Sequence, residues 1–198
     1  DIPPMPLFKD SQGGLIIPQI PLFDVLTKYN GEKFTDSVRA GHQLRKRYTI
    51  TKLPRFLVLH LDRFKANNFY VEKNPTIVNF PVKNLELRDH FALDLAPGAD
   101  EDAKVTKYDL VANICHGSPP GQGKEGQKNP LEGGSYRVHV QHKATEQWYE
   151  IQDLHVQETM PQLIGLSESN IMIYERKKPA ARAAADAAAE LRAELDED

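Results

Sequence analysis

The residues of this chain that could take part in thiol chemistry are one cysteine, Cys115, and seven histidines. A thiol nucleophile needs a histidine beside it, which keeps it as thiolate and later protonates the leaving group. His116 follows Cys115 directly, but adjacent residues of a strand point to opposite faces, so the two cannot form a nucleophile–base pair. We therefore expect Cys115 to be a small buried hydrophobic residue.

Two further histidines lie on or beside the segment SYRVHVQH (135–142), which alternates as a strand does. The alternation predicts that Tyr136, Val138 and Val140 share the buried face. Ser135, Arg137 and His139 then face the other way, and parity places His142 opposite His139. We expect both histidines to be structural or solvated rather than catalytic.

Composition excludes several classes of site. A single cysteine leaves no internal disulfide and no multi-cysteine zinc site, and it fits a reducing compartment. We expect no metal and no cofactor in residues 1–198. The net charge of −3 gives no overall cationic field toward nucleic acid, and no apolar run is long enough for a membrane span. Because the chain starts at Asp1 and shows no signal-peptide pattern, we expect it to be part of something longer.

Five apolar segments predict strands of a single sheet. FLVLHLDRF (56–64) is apolar at both parities, which indicates a strand covered on both faces. The others are DLVANICH, SYRVHVQH, QWYEIQD and NIMIYERK. We expect this sheet to be mainly antiparallel and to bury six aliphatic side chains, namely Leu57, Leu59, Val138, Val140, Ile171 and Ile173. TIVNFPV (76–82) predicts another short strand that ends near Pro81.

The remaining segments are short or irregular. Apolar residues from Leu22 to Tyr29 predict one short amphipathic helix that stops at Asn30-Gly31. The regions 92–104 and 117–134 are predicted loops. With one early helix and several hairpin-linked strands, the pattern is typical of an antiparallel-sheet α+β domain. We expect this domain to span 1–178 and an Ala-rich, helical, acidic tail to span 179–198.

A basic group lies within residues 35–48 and includes Arg45, Lys46 and Arg47. The favoured interpretation is a solvated helix face or loop, and the alternative is a contact with RNA.

Three ordered segments resemble the carboxyl-terminal half of the ubiquitin-specific protease family. They are LPRFLVLHLDRF followed by VNFP, KYDLVANICHG, and GGSYRVHV followed by WYEIQDLHV. The resemblance implies a papain-like fold of α+β class whose carboxyl-terminal half is dominated by an antiparallel sheet. NNFYVEKNPTIVNFP, the GSYR form and WYEIQDL resemble one branch of the family, which is catalytically inactive and associates with the spliceosomal tri-snRNP.

The resemblance also implies where a catalytic triad would lie. The family's histidine precedes the tyrosine of the Gly-His-Tyr box, and Ser135 stands there. Gln152 stands at the position of the orienting Asp or Asn, and Asp153 occupies the second acidic site. A serine hydroxyl cannot accept and return a proton near neutral pH, so we expect no catalytic residue here. Tyr136, Trp148 and Asp153 are candidate binding residues, although packing accounts for both aromatic residues equally well.

The implied function is a nuclear, non-enzymatic scaffold in pre-mRNA splicing that contacts tri-snRNP proteins, with ubiquitin or a ubiquitin-like protein as a further candidate partner. Two alternatives stay open. One is an active cysteine deubiquitinase completed by a further part of the protein. The other is direct RNA binding through the basic group and the 117–134 loop.

Overall fold

The computed structural model describes residues 1–3, 5, 8–39, 41–66, 71–95, 104–117 and 130–179. Its strands are β1 (Phe8–Lys9), β2 (Leu15–Ile16), β3 (Gln19–Pro21), β4 (Thr35–Arg39), β5 (His42–Lys46), β6 (Phe56–His60), β7 (Phe64–Ala66), β8 (Val71–Lys73), β9 (Ile77–Asn79), β10 (Leu85–Glu86), β11 (Lys107–Gly117), β12 (Ser135–Gln141), β13 (Trp148–Gln152), β14 (His155–Thr159) and β15 (Ser169–Arg176). Its short helices are α1 (Leu22–Val25), α2 (Pro130–Gly133) and α3 (Pro161–Ile164).

A seven-stranded antiparallel sheet organises the described residues. Six strands follow the order β14-β13-β12-β11-β15-β6, and β10 pairs with β11 beside this path. The prediction that the five apolar segments form one antiparallel sheet is therefore confirmed. The edge strand β14 was not predicted, because its HVQET sequence has little apolar character.

The prediction that β6 is covered on both faces is wrong. β6 is the other edge of the sheet, and Phe56, Val58 and His60 are exposed on one face. Leu57 and Leu59 are half-buried on the opposite face. An apolar run at both parities is compatible with burial on two faces, but it does not show what covers each face.

The predicted burial of the six aliphatic residues is also incorrect, since all six are only half-buried. On β15 the fully buried side chains are Met172 and Tyr174, which lie opposite Leu59 and Leu57. Ile171 and Ile173 therefore belong to the second face of the sheet. When a strand is apolar at both parities, its pattern does not specify which parity meets the core.

The same reversal affects β12. Ser135, Arg137 and His139 do alternate with Tyr136, Val138 and Val140, but the buried side chain is His139, and Tyr136 is exposed. In register, His139 lies opposite Asn113, which lies opposite Met172 on β15. The core face of the sheet thus carries polar side chains on β11 and β12.

The early helix is shorter than predicted. α1 ends at Val25, and a 3-10 turn at Thr27–Tyr29 replaces the second half of the predicted helix. Gly31 has a φ of +77°, in the left-handed region that favours glycine, so the predicted stop at Asn30-Gly31 is confirmed. TIVNFPV forms β9, which ends before Pro81 and pairs in parallel with β3.

The basic group is neither a helix face nor a loop. β4 and β5 form an antiparallel hairpin that turns at Gly41, whose φ is +80°. Polar or charged side chains at every position of β5 except Leu44 concealed the strand pattern, because an exposed ribbon needs no apolar alternation.

The core lies on the Met172 and Tyr174 face of the main sheet. Its fully buried members outside the sheet include Leu22, Leu61 and Ile164. The fully buried Arg63 donates hydrogen bonds to three backbone carbonyls, those of Ser169 (2.6 Å), Thr76 (2.7 Å) and Asn74 (3.0 Å). A buried guanidinium with several acceptors joins the loop after β6 to the start of β15.

Residues 96–103 and 118–129, which make up most of the two predicted loops, lie outside the described residues, and so does the tail from residue 180. The division into a domain and a tail stays a prediction. Among the residues that the structure describes, no helix has the length and apolar character to cross a membrane.

Candidate functional site

The two positions implied to replace the triad residues lie in contact. Gln152, at the end of β13, donates a hydrogen bond from Nε2 to the Ser135 Oγ at 3.1 Å. Ser135 begins β12, and both residues are exposed. The hairpin of β12 and β13 brings together two residues that are 17 positions apart. Two neutral polar groups therefore occupy the place where the family resemblance would put an imidazole and a carboxylate.

The glycine before Ser135 is required by the His116 ring. A Cβ atom at Gly134 would lie 2.2 Å from His116 Nε2 and 2.8 Å from the Gly117 carbonyl oxygen. His116 is fully buried, and its ring packs edge-on against Phe64 and Tyr136, with centroids 5.0 Å and 4.9 Å away. Burial lowers the pKa of His116, and the nearby Lys73 ammonium lowers it further. His116 thus has a packing role that fixes the approach of β12 to β11.

The three candidate binding residues have different environments. Trp148 is 2% exposed and belongs to the core, so packing explains it. Tyr136 is half-exposed next to Ser135 and is available to a partner. Asp153 lies in the two-residue turn between β13 and β14 with a φ of +51°, a conformation that aspartate tolerates better than most residues. The turn therefore gives a structural reason for an acid there.

An open concavity adjoins Gln152 at the β13–β14 hairpin. It is lined by Glu150, Gln152, Asp153, Leu154, His155 and Gln157. Its lining mixes carboxylate, amide and imidazole groups, and Leu154 at its rim is fully exposed. The sequence did not predict this concavity, because β14 itself was not predicted.

Cys115 is buried as expected, but its surroundings are polar. Its thiol donates to the Ser167 hydroxyl at 3.1 Å and accepts from Asn113 Nδ2 at 3.2 Å. Its Sγ also lies 3.7 Å from His139 Nδ1. The prediction of a simple hydrophobic role is wrong in this respect, because β11 and β12 align the polar residues in register.

His139 links this cluster to Glu150. Its Nε2 lies 3.0 Å from Glu150 Oε2, and Glu150 Oε1 accepts a hydrogen bond from Gln157 at 3.0 Å. Burial lowers the pKa of His139, although the Glu150 carboxylate opposes that effect. Burial also raises the pKa of the Cys115 thiol. The favoured state is a neutral thiol beside a neutral imidazole.

The order thiol, imidazole, carboxylate resembles a catalytic triad, but this cluster lacks two properties of one. Cys115 and His139 are 1% and 2% exposed, so no substrate reaches them. A raised thiol pKa also opposes formation of the thiolate that is the nucleophile. The cluster is a structural hydrogen-bond network across β11, β12 and β13. Sequence reasoning missed it because only the strand register places Cys115 beside His139.

The remaining candidates lie elsewhere. His142 follows β12 and bonds the Thr145 hydroxyl through Nδ1 at 2.9 Å in an exposed turn. Arg45 and Lys46 lie on β5, and Arg47 follows it. All three are exposed, and β5 is not part of the main sheet that carries Ser135. No group of three or more potential metal ligands occurs among the described residues. The expectation of no metal and no cofactor stays a prediction.

Comparison with curated proteins shows extensive similarity. Over 177 residues the chain is 45% identical to human "Ubiquitin carboxyl-terminal hydrolase 39", covering 89% of this chain and 29% of that protein. Over 182 residues it is 37% identical to the "Probable mRNA-splicing protein ubp10" of Schizosaccharomyces pombe, covering 89% of this chain and 32% of that protein. The chain therefore spans about three tenths of the length of these relatives.

Solved structures agree in fold. The crystal structure of an essential yeast splicing factor matches with a TM-score of 0.52 and 23% identity, over 82% of this chain and 31% of that one. The SAGA Ubp8/Sgf11/Sus1/Sgf73 DUB module matches with a TM-score of 0.54 and 18% identity, over 82% of this chain and 33% of that one. The predicted α+β ubiquitin-specific-protease fold is confirmed.

The sequence also matches the family described as "Ubiquitin carboxyl-terminal hydrolase" over residues 23–180, which is most of the chain. The predicted resemblance to the splicing-associated branch is confirmed by the names of its relatives. On its sequence and its fold, this chain belongs to the ubiquitin carboxyl-terminal hydrolase family.

Proposed function

We propose that this chain is a catalytically silent deubiquitinase-like domain that acts as a nuclear docking scaffold in pre-mRNA splicing, by assembling or stabilising the tri-snRNP. The observation that carries the proposal is the hydrogen bond between Gln152 and Ser135. The similarity to a probable mRNA-splicing protein supports the process, and similarity to a hydrolase family supports the fold on which the scaffold is built.

The groups at the site support the proposed lack of catalytic activity. The Ser135 hydroxyl cannot act as a base near neutral pH, and it is held as a hydrogen-bond acceptor by the Gln152 amide. A carboxamide carries no charge to stabilise an imidazolium. The buried His139 is engaged by Glu150 and is not available as a replacement base.

A suicide probe tests this part of the proposal. Intact protein should not react with ubiquitin vinyl sulfone, which forms a covalent bond with an activated catalytic cysteine. An active family member treated in parallel serves as the positive control. Covalent labelling of the intact protein would support the alternative of an active cysteine protease instead.

A second experiment tests the docking role. Ser135→Ala and Gln152→Ala should leave splicing and co-purification of the tri-snRNP intact, because neither group has a reaction to perform. Folding of each variant is verified by its thermal melt. Loss of splicing by a folded, particle-bound Ser135→Ala protein would require a chemical role for the site.

Binding of ubiquitin or a ubiquitin-like protein is part of the proposed partner set. Replacing a catalytic base removes little contact surface, and Tyr136 next to Ser135 stays half-exposed. Isothermal titration of ubiquitin into the intact protein and into Tyr136→Ala tests this contact directly.

Direct RNA binding through Arg45, Lys46 and Arg47 is the alternative function of the basic hairpin. All three side chains are exposed, and Lys46 and Arg47 have no ion-pair partner among the described residues. Phosphate contacts release counterions, so RNA affinity would fall steeply with salt concentration. A salt titration with single-stranded RNA distinguishes this alternative.

A further inference from the structure

The buried polar cluster on β11, β12 and β13 contains an amide with one unsatisfied end. Asn113 is fully buried, and its Nδ2 lies 3.0 Å from the Ser167 hydroxyl, 3.2 Å from the Cys115 Sγ and 3.3 Å from the His139 Nδ1. Its Oδ1 has no hydrogen-bond partner among the described residues. A buried acceptor without a donor costs free energy, so the contacts of Nδ2 are what hold the amide in this orientation.

This chain by itself encloses the cluster. Asn113, Cys115 and His139 are at most 2% exposed without any other segment or partner packed on them. Further parts of a longer protein can add to that burial, but the enclosing side chains leave no open path by which they would contact these atoms. The hydrogen bonds inside the cluster are therefore a property of this chain, whatever covers its outer surfaces.

The hydrogen bonds of the neighbouring groups specify the state of the His139 imidazole. Its Nε2 lies 3.0 Å from Glu150 Oε2, and a carboxylate can only accept, so Nε2 carries the proton. In a neutral imidazole Nδ1 is then an acceptor, and it receives a hydrogen bond from Asn113 Nδ2. Ser167 donates its hydroxyl hydrogen to the Ile164 carbonyl at 2.6 Å, so it also accepts from this amide. The amide therefore faces acceptors while His139 is neutral.

A proton on Nδ1 reverses what the imidazole requires of the amide. An imidazolium donates from both nitrogens, so its Nδ1–H would meet Asn113 Nδ2, which is also a donor. Rotation of the amide by half a turn about its Cβ–Cγ bond places Oδ1 opposite Nδ1 instead, at nearly constant volume. The charge-assisted bond that forms is roughly twice as strong as a neutral one, which offsets the loss of the bond to Ser167. One end of the amide is without a partner in either orientation.

The charged and titratable groups around His139 come from three strands. Cys115 lies on β11 with its Sγ 3.7 Å from Nδ1, Arg137 lies on β12, and Glu150 lies on β13. Burial raises the pKa of the Cys115 thiol, so the thiol stays neutral. Burial lowers the pKa of His139, and Arg137 lowers it further, whereas the Glu150 carboxylate raises it. Asn113 carries no charge, so His139 is the group of this cluster that takes up a proton in mild acid.

We propose that Asn113 and His139 form a proton-linked switch inside the sheet. The Asn113 amide donates to the neutral imidazole, and it rotates to accept from the imidazole once solvent has supplied a proton to Nδ1. Glu150 connects this switch to the surface, because its Oε1 accepts from Gln157 on the exposed strand β14 and its side chain lines the open concavity at the β13–β14 hairpin. The switch goes beyond the docking function proposed above and does not depend on it.

NMR of the intact protein, labelled with nitrogen-15 in its asparagine and histidine side chains, tests both states without any substitution. At about pH 8 we expect a scalar coupling across the N–H···N hydrogen bond from Asn113 Nδ2 to His139 Nδ1, and a nuclear Overhauser contact between the amide protons and the His139 Hε1 proton. At about pH 5, once His139 is protonated, both signals should disappear and Nδ1 should carry a proton. His142, whose Nδ1 bonds the Thr145 hydroxyl, is the internal control and should show no such coupling.

A pair of variants separates this switch from a general response to acid. His139→Gln should remove the pH dependence of the Asn113 side-chain signals, and His142→Gln should retain it. A proton on Nδ1 at about pH 8, an amide contact that persists after protonation, or unfolding before His139 takes up a proton would each overturn the proposal. Covalent labelling by ubiquitin vinyl sulfone would instead contradict the proposed scaffold function, and it would leave these NMR results unchanged.

Discussion

Gln152 donates its amide hydrogen to the Ser135 hydroxyl across the β12–β13 hairpin, at 3.1 Å. On the family resemblance, these two positions would hold a base and its orienting group, and the proposed function rests on their replacement by a hydroxyl and a carboxamide. We propose that the fold keeps these two positions in contact without the chemistry of a triad. This separation of geometry from chemistry can be tested by restoring the groups one at a time.

Restoring the imidazole alone should not restore activity. We expect Ser135→His in the intact protein to leave cleavage of a ubiquitin–fluorophore substrate at background, because Gln152 supplies no carboxylate and losing that group can cost ~10⁴ in turnover. By NMR titration, Ser135→His/Gln152→Asp should raise the pKa of the introduced imidazole by about one unit relative to the single variant. Robust cleavage by the single variant would show that the orienting group is dispensable.

Gly134 should not tolerate alanine. Gly134→Ala places a Cβ atom against the buried His116 ring and the Gly117 carbonyl, so we expect a loss of about 1–3 kcal/mol in the free energy of unfolding. Urea denaturation of the intact protein measures it. Gly165→Ala is the control, because no atom lies within 4 Å of its added Cβ and its φ is −66°. Equal stability of both variants would contradict the close approach of β12 to His116.

The buried His139 should make the protein less stable in mild acid. Burial lowers its pKa in the folded protein, so the unfolded chain binds a proton more readily. This contribution is fully present above the unfolded pKa of about 6.5 and is lost as pH falls, with a slope of at most about 1.4 kcal/mol per pH unit. We expect His139→Gln to reduce this slope between pH 7.5 and pH 5.

The surroundings of His139 define the control for that measurement. Its ring faces Glu150, Cys115 and Asn113, and the cation of Arg137 also lowers its pKa. His116, whose pKa burial also lowers, contributes a slope of the same sign that both variants retain. His142→Gln, which replaces an exposed histidine bonded to Thr145, is the matched control for the removal of a histidine. An unchanged slope in His139→Gln would refute the buried neutral imidazole.

Arg63 should be among the most sensitive positions. Arg63→Met removes the donor to three backbone carbonyls in the core, and we expect a cost of about 3–5 kcal/mol in the free energy of unfolding. Arg55→Met removes an exposed arginine that pairs with Glu175 at 3.0 Å, and should cost no more than about 1 kcal/mol. Chemical denaturation of the two variants gives the comparison. Similar costs would indicate that Arg63 is solvated.

The existence of the long strands and their membership of one antiparallel sheet could be predicted from the sequence, because SYRVHVQH and NIMIYERK show strong β-propensity and periodicity. Which of the two sets of alternating residues faces the core could not be predicted. Ile171 and Met172 are equally apolar, and only the position of the sheet relative to Leu22 and Leu61 makes Met172 the core residue. Single-sequence periodicity contains no information about which face the rest of the chain covers.

The candidate site was predictable in part for the same reason. The contact of Ser135 with Gln152 follows from a hairpin whose motifs are visible in the sequence. The approach of Cys115 to His139 follows from cross-strand register, which residues 24 positions apart in the chain do not specify. The basic hairpin was mistaken for a helix or loop, because its side chains need no apolar alternation when both faces meet solvent.

The position of β15 has a consequence for synthesis. β15 pairs with both β6 and β11, and it is the last of the described strands of this sheet in chain order. His60 pairs with Ile171, so its partner is absent until Ile171 has been synthesised. At typical elongation rates, the interval between synthesis of the two residues is on the order of 10 s. During this time the apolar edge of β6 is present in the nascent chain without its neighbour. Translation of β15 is therefore the step that joins β6 to the rest of the described sheet.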